Sequence, residues 1–387
     1  MEKVMRKSRK TRLLICSSPL QVINARSAMD YRKEKGIDYR DYLIITHPRL
    51  TETSNSKNLI KEFSAKLGFS CVYDFSEDFK RIIELVSENY KFKHIPFAKS
   101  QRFEAIDHEI SGTIEQLKRT LYQDVDHFDE IYIRRYWGHV DHIALASLIP
   151  NKVINGIEDG LGDYCKHLKK EIRFGRAVFQ FGRFKDIVKN FIFISKSKQW
   201  RIHSCNFGAF YLIEKTFSNL KYGNNIIVAE HFKKNLQKLR RNREVIKNKV
   251  IAILDSVLDT NPQYITTEQE VEICNRIIAQ IKKRHGVCSN QIYYKPHPRT
   301  TFSAWSYKKK NLDCRIYDFK DNSIFELELL ENNFKAVYSV GSTSSLLAKA
   351  LFDVDVYAID LRRFNLFSGV YIPLKILLRY GAKIQPA

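Results

Sequence analysis

Along the chain, short runs of β-branched and aromatic residues alternate with segments whose apolar positions recur every three or four residues. In the first half this pattern predicts strands over Arg12–Cys16, Tyr42–Thr46, Ser70–Asp74, Glu130–Arg134 and Lys152–Gly156. Helices are expected over Leu20–Lys35, Asn55–Leu67 and Thr113–Leu121. After Ile172 the pattern turns basic and aromatic up to about Ile227, and the charged stretch His231–Arg243 reads as an exposed helix that links or caps the first domain. A second series starts at Lys249, with strands over Val250–Leu254, Gln291–Lys295, Ala336–Val340 and Val356–Ile359. Its helices are Thr267–Arg284, Ile324–Glu331 and Ser344–Phe352. Alternating strands and helices argue an α/β class with parallel sheets.

The 387-residue length suits two domains. We place them at 1–247, with a basic and aromatic insertion over about 166–227, and at 248–360, while 361–387 is expected to cross back to the first domain. Seven cysteines, at 16, 71, 165, 205, 274, 288 and 314, are scattered without zinc or redox spacing and read as reduced thiols of a cytosolic protein. The N-terminal apolar run, Leu13–Ser17, is too short for a signal peptide, and no stretch approaches a membrane span. The expected protein is cytoplasmic. Charge is the strongest bulk signal: 65 Lys and Arg against 43 Asp and Glu give a net +22. Nucleic acid, an anionic membrane or an acidic substrate would each suit that balance, and composition does not choose among them.

Three motifs narrow the choice. Glu158-Asp159-Gly160 follows the strand at Lys152–Gly156, where open α/β sheets place ligands. Adjacent carboxylates repel, which favours one of them as a general base, and Gly160 lets the backbone turn close to a substrate. An ordinary acidic turn fits the same letters. Lys295-Pro296-His297-Pro298-Arg299 follows another strand, with a proline on each side of His297 fixing the backbone. A histidine between Lys295 and Arg299 suits an anion such as a departing phosphate. A surface histidine in a proline-rich turn is the plain alternative. Gly341-Ser342-Thr343-Ser344-Ser345 leads from a strand into a helix, whose free N–H groups, hydroxyls and dipole favour phosphate. A simple helix cap is the alternative there. It is not a P-loop, since no Gly-Lys-Ser/Thr follows. A further strand-to-helix junction, with Ser17, Ser18, Gln21 and Asn24, could line a substrate pocket or merely cap its helix.

At these residues the chain resembles the bacterial sialyltransferases that share an acidic-acidic-Gly motif, a His-Pro motif and a downstream Ser/Thr-rich motif. Glu158-Asp159-Gly160, His297-Pro298 and Ser342–Ser345 match in order and approximate spacing. The fit is nearest to the capsular polysialyltransferases (glycosyltransferase family 38), with the lipooligosaccharide sialyltransferases (family 52) next. The resemblance implies a GT-B fold, two Rossmann-like domains facing across a cleft, with acceptor bound by the first and CMP-sugar by the second. It also implies an inverting, metal-independent transfer from CMP-sialic acid, with no cofactor. Glu158 would be the base, His297 would assist CMP departure, and Ser342, Thr343, Ser344 and Ser345 would hold the phosphate. Lys295 and Arg299 are added on charge, beside Pro298. CMP has a single phosphate, so no diphosphate-bridging metal is needed, in keeping with the lack of an Asp-x-Asp motif near these sites.

The basic charge then has a candidate purpose. Lys166, Lys169, Lys170, Arg173, Arg176, Arg183 and Lys185, interleaved with aromatics, suit an anionic sialylated oligosaccharide or polysaccharide, or the inner-membrane surface on which capsule assembly proteins would meet a peripheral enzyme. A solvated basic face is the plain reading. The rivals are a lipooligosaccharide sialyltransferase, a CMP-Kdo transferase and a nucleic-acid-binding protein. No helix-turn-helix, zinc-finger or RRM signature supports the last, and no nucleic-acid partner is expected.

Overall fold

The computed structural model describes residues 9–46, 56–81, 101–123, 125–134, 149, 151–158, 209–213, 225–240, 250–255, 265–297, 300–317, 324–361 and 371–387. The chain divides into two compact units, each built on one parallel sheet.

The first sheet has seven strands in the order β3-β2-β1-β4-β5-β6-β7. They are β1 (Arg9–Cys16), β2 (Asp38–Ile45), β3 (Cys71–Asp74), β4 (Phe128–Arg134), β5 (Asn151–Ile157), β6 (Ala209–Tyr211) and β7 (Asn225–Ile227). Its helices are α1 (Pro19–Tyr31), α2 (Ser56–Lys66), α3 (Gln101–Tyr122) and α4 (Ala229–Leu239). Strands covered on both faces read as continuous apolar runs, and Leu13, Leu14, Ile15 and Cys16 are all fully buried. Helix α4, expected as an exposed charged helix, buries Phe232, Asn235, Leu236 and Leu239 along one face. Its three- and four-residue apolar spacing outweighs its high charge.

The second sheet has six strands in the order β10-β9-β8-β11-β12-β13. They are β8 (Ile251–Leu254), β9 (Ile292–Lys295), β10 (Arg315–Ile316), β11 (Ala336–Ser339), β12 (Asp355–Asp360) and β13 (Lys383–Pro386). Helices α5 (Thr267–His285), α6 (Phe302–Asn311), α7 (Phe325–Glu331), α8 (Thr343–Phe352) and α9 (Tyr371–Arg379) cover it. Local chemistry sets α5 closely. Thr266 and Gln269 form a reciprocal capping box, basic residues fill the last turn, and Gly286 ends the helix at φ 63°. The segment expected to cross back to the first domain does otherwise: β13 pairs in parallel with β12, Tyr357 to Lys383 through Asp360 to Pro386, and closes the edge of the second sheet.

Both sheets carry the 3-2-1-4-5 strand order of a doubly wound Rossmann-like unit, and the fold is the two-unit α/β architecture expected for GT-B. In such sheets the order reverses between the first and fourth strands, and ligands bind beyond the carboxyl ends nearby. In the second sheet that point lies between β8 and β11, with β9 alongside β8.

Candidate active site

At the carboxyl edge of the first sheet, Glu158 is the residue after β5 and is 1% exposed. Its N–H donates to the Phe210 carbonyl at 3.1 Å, extending the β5–β6 ladder by one residue. Its side-chain Oε2 accepts the Leu212 N–H at 2.7 Å, and its carbonyl accepts the Asn24 side-chain amide at 2.7 Å. Backbone and carboxylate are thereby held by two separate elements, α1 and the end of β6. A hydrogen bond from a backbone amide to a carboxylate is charge-assisted and fixes that oxygen.

The β1–α1 junction supports this edge. Ser18 caps α1 and accepts the Gln21 N–H, with Pro19 opening the helix. Gln21 Oε1 accepts the Ser17 N–H at 2.7 Å. Gln21 and Asn24 are 1% and 2% exposed, and their contacts with Ser17 and Glu158 join strand ends to the helix start. Cys16, at the end of β1, has its thiol pushed up by complete burial, which keeps it unreactive.

At the carboxyl edge of the second sheet, three strand ends contribute. Lys295 ends β9, is mostly buried, and holds its ammonium 5.4 Å from the Tyr317 ring centroid. His297, half-buried, follows Pro296, and its carbonyl accepts the Thr300 N–H at 2.9 Å, closing a four-residue turn. Asp255, one residue beyond β8, accepts the Thr300 hydroxyl at 2.9 Å, the His297 N–H at 3.4 Å and the Lys308 ammonium at 3.1 Å, all on Oδ2.

Beyond β11, Ser342 caps α8 by accepting the Ser344 N–H at 3.2 Å. Ser345 is fully buried; its hydroxyl donates to the Ser342 carbonyl at 2.6 Å and accepts from Ser339 at 2.8 Å. It therefore shapes the turn and has no donor left for a ligand. Thr343 and Ser344 are half-buried in the first turn of α8, where N–H groups and the helix dipole favour an anion. The Ser344 hydroxyl bonds to the carboxyl of Glu326, which burial pushes up against the opposing effects of its own backbone N–H, Ser344 and Lys295. Among the described residues no three His, Cys, Asp or Glu side chains gather as metal ligands would, and no helix is long and apolar enough to cross a membrane.

The sequence profile described as alpha-2,8-polysialyltransferase (POLYST) matches residues 12–359. The chain belongs to that family. It is accordingly a glycosyltransferase of the sialyltransferase kind. No curated protein sequence matches it. Solved structures that resemble it include an alpha/beta-galactoside alpha-2,3-sialyltransferase from Photobacterium phosphoreum, at TM-score 0.49 and 11% identity over 98% of this chain and 99% of that one. A UDP-GlcNAc 2-epimerase from Neisseria meningitidis gives TM-score 0.44 at 11% identity over 97% and 95% of the two chains. An E. coli heptosyltransferase gives 0.40 at 12% over 90% and 88%.

Within this polysialyltransferase-family chain, the described residues of each of the three motifs stand at or just beyond the carboxyl end of a parallel strand. Asp159, Gly160, Pro298 and Arg299 lie outside the described residues, as does the basic stretch holding Lys166, Lys169, Lys170, Arg173, Arg176, Arg183 and Lys185. Sequence reasoning missed Asp255, Thr300, Lys308, Glu326 and the Leu212 amide. Asp255 and Thr300 had a signal, since both flank a strand-end motif or follow a strand. Lys308, inside a Lys-Lys-Lys run, had none.

Proposed function

We propose that this chain transfers sialic acid from CMP-sialic acid to a sialylated glycan, extending a polysialic acid chain by an inverting, metal-independent displacement. One observation carries the reading: Glu158 is buried at the carboxyl edge of a sheet, its carboxylate held by the Leu212 N–H and its backbone carbonyl by Asn24. Glu158 takes the proton from the acceptor hydroxyl as its oxygen bonds to the anomeric carbon. The bond from that carbon to the CMP phosphate oxygen breaks, and the electron pair leaves with CMP. The sialyl transition state is cationic, while negative charge grows on the phosphate. His297 protonates or hydrogen-bonds that phosphate, and the first turn of α8, with the hydroxyls of Ser342 and Thr343, receives it. General acid–base assistance of this kind contributes about 10²–10⁴-fold. Oriented donors at the leaving oxygen contribute about 10²–10³-fold. CMP carries one phosphate, and the groups offered to it are imidazole, hydroxyls and amides rather than a carboxylate pair, so no step is routed through a metal.

The basic stretch from Lys166 to Lys185 tracks the anionic acceptor by charge, and the same charges suit an anionic inner leaflet. Incubation with CMP-sialic acid and a defined sialylated oligosaccharide, with products resolved by length, tests the reading. A ladder is expected. A single addition would refute chain extension and favour the lipooligosaccharide type; no product at all would refute sialyl transfer from this donor.

A further inference from the structure

The second sheet buries an ion network next to the His-Pro turn. Lys308 on α6 is 1% exposed, and its ammonium lies 3.1 Å from Asp255 Oδ2 and 3.0 Å from Glu270 Oε2 on α5. The Tyr294 ring packs 5.6 Å from the same ammonium. Removing charges from water is expensive, and a buried ion pair is often no more stabilising than apolar residues of equal volume. Stability alone therefore gives a weak reason for this network at this place.

The geometry supplies a stronger one. Asp255 Oδ2, besides meeting Lys308, accepts the Thr300 hydroxyl and the His297 N–H, so one carboxylate oxygen holds both ends of the turn that carries His297. Asp255 also donates its own N–H to the Lys295 carbonyl at 3.0 Å, which ties it to the residue two before the histidine. Three donors converging on one oxygen suit a carboxylate, and the Lys308 ammonium pairs with it away from water. Lys308 can do so because helical side chains lean toward the N-terminus. It sits about 9 Å along α6 from Phe302, and its side chain reaches back toward the turn that precedes the helix.

We propose that Asp255, held by Lys308, is the positioning residue for His297, with the Thr300 hydroxyl as the second anchor of that turn. The proposal rests on the leaving-group role of His297 given above. A misplacement of about 1 Å at a reacting group lowers a rate by up to about 10²-fold.

Wild type, Thr300→Val, Thr300→Ser and Asp255→Asn are compared by kcat, KM for CMP-sialic acid, CMP affinity, melting temperature and the NMR signal of the His297 imidazole, assigned with His297→Ala. Thr300→Val keeps shape and leaves all three buried charges in place. It should lower kcat about tenfold, with KM and CMP affinity changed less than about twofold, and broaden or split the His297 signal. Thr300→Ser restores the hydroxyl and should recover at least about half of kcat and the single sharp signal. Asp255→Asn should lower kcat by about 10²-fold if it folds; if it does not, the two threonine variants carry the test. Wild-type kcat with an unchanged His297 signal in Thr300→Val would overturn the proposal, as would Thr300→Ser as slow as Thr300→Val. Should wild type itself fail to use CMP-sialic acid, the proposed donor falls, and the His297 signal alone decides the positioning claim.

Discussion

Each sheet buries an ion network, but one lies at mid-strand and the other at the carboxyl end of its strands. In the first, Arg12 and Asp41 face each other in register across β1 and β2, joined by two bonds of 2.6 and 2.7 Å, with Arg26 adding a third at 2.8 Å. Arg12 precedes the end of β1 by four residues, about 13 Å of strand, and so lies well away from the edge that carries Glu158. In the second sheet, Lys308 meets Asp255 one residue beyond β8, inside the turn that carries His297. Doubly wound sheets keep their ligand chemistry at the carboxyl ends. On the reading proposed above, the same device is a staple in one unit and part of the site in the other. The functional edges differ as well. The first offers a fixed acid; the second offers an imidazole, hydroxyls and helix N–H groups, which suit an anion.

The most severe test of that contrast is Glu158→Gln. It should lower kcat by about 10³-fold or more while CMP affinity, measured by calorimetry, stays within about twofold. Normal turnover in this variant would remove the acid from the first edge. Asp41→Ala should show the opposite profile. Leaving Arg12 buried without its partner should lower unfolding free energy by about 3–5 kcal/mol in denaturant titrations, with kcat per folded molecule nearly unchanged. A selective loss of kcat at full stability would erase the distinction between the two networks. His297→Ala should lower kcat by about 10²-fold, and a donor with a more acidic leaving group should recover part of the loss. Equal losses with both donors would take His297 away from the leaving group.

The smallest effect concerns pH. Burial raises the folded-state carboxyl of Glu326 above its unfolded value, so the folded protein favours the protonated form. That contribution is full below the ordinary glutamate range and fades as pH rises through the folded-state value. Glu326→Gln, neutral throughout, should therefore gain melting temperature relative to wild type as pH rises from about 4 to about 8. A constant difference across that range would show that Glu326 does not titrate differently in the folded chain.

Much of the architecture was legible. The run Leu13–Cys16 announced β1 because a strand covered on both faces needs apolar side chains at every position, and the hydroxyl-rich run announced a helix expected from Ser344, which the structure starts at Thr343 with Ser342 as its cap. Other elements gave weak signals. Helix α3 runs over Gln101–Tyr122, yet only Thr113–Leu121 has a clear apolar stripe; Asp107, His108, Glu109 and Gly112 break it earlier. Helix α6 was missed because Phe-Ser-Ala-Trp-Ser-Tyr-Lys-Lys-Lys-Asn has no helical stripe, and β10 and β13 are too short and polar to stand out. Strands of that kind exist because a neighbour's edge supplies the hydrogen bonds.

Sequence by itself determined the alternation of strands and helices, the strand-end placement of the Glu158, His297 and Ser342 motifs, and the family. Those are local matters, carried by periodicity, caps and short motifs within reach of neighbouring residues. Tertiary structure decided which side chains those motifs depend on: that Lys308 is buried rather than solvated, that Asp255 gathers Thr300 and His297, and that Leu212 and Asn24 fix Glu158. Those partners are 42 to 134 residues apart in several cases, and a charge in a folded chain takes its meaning from whatever burial places within a few ångströms of it.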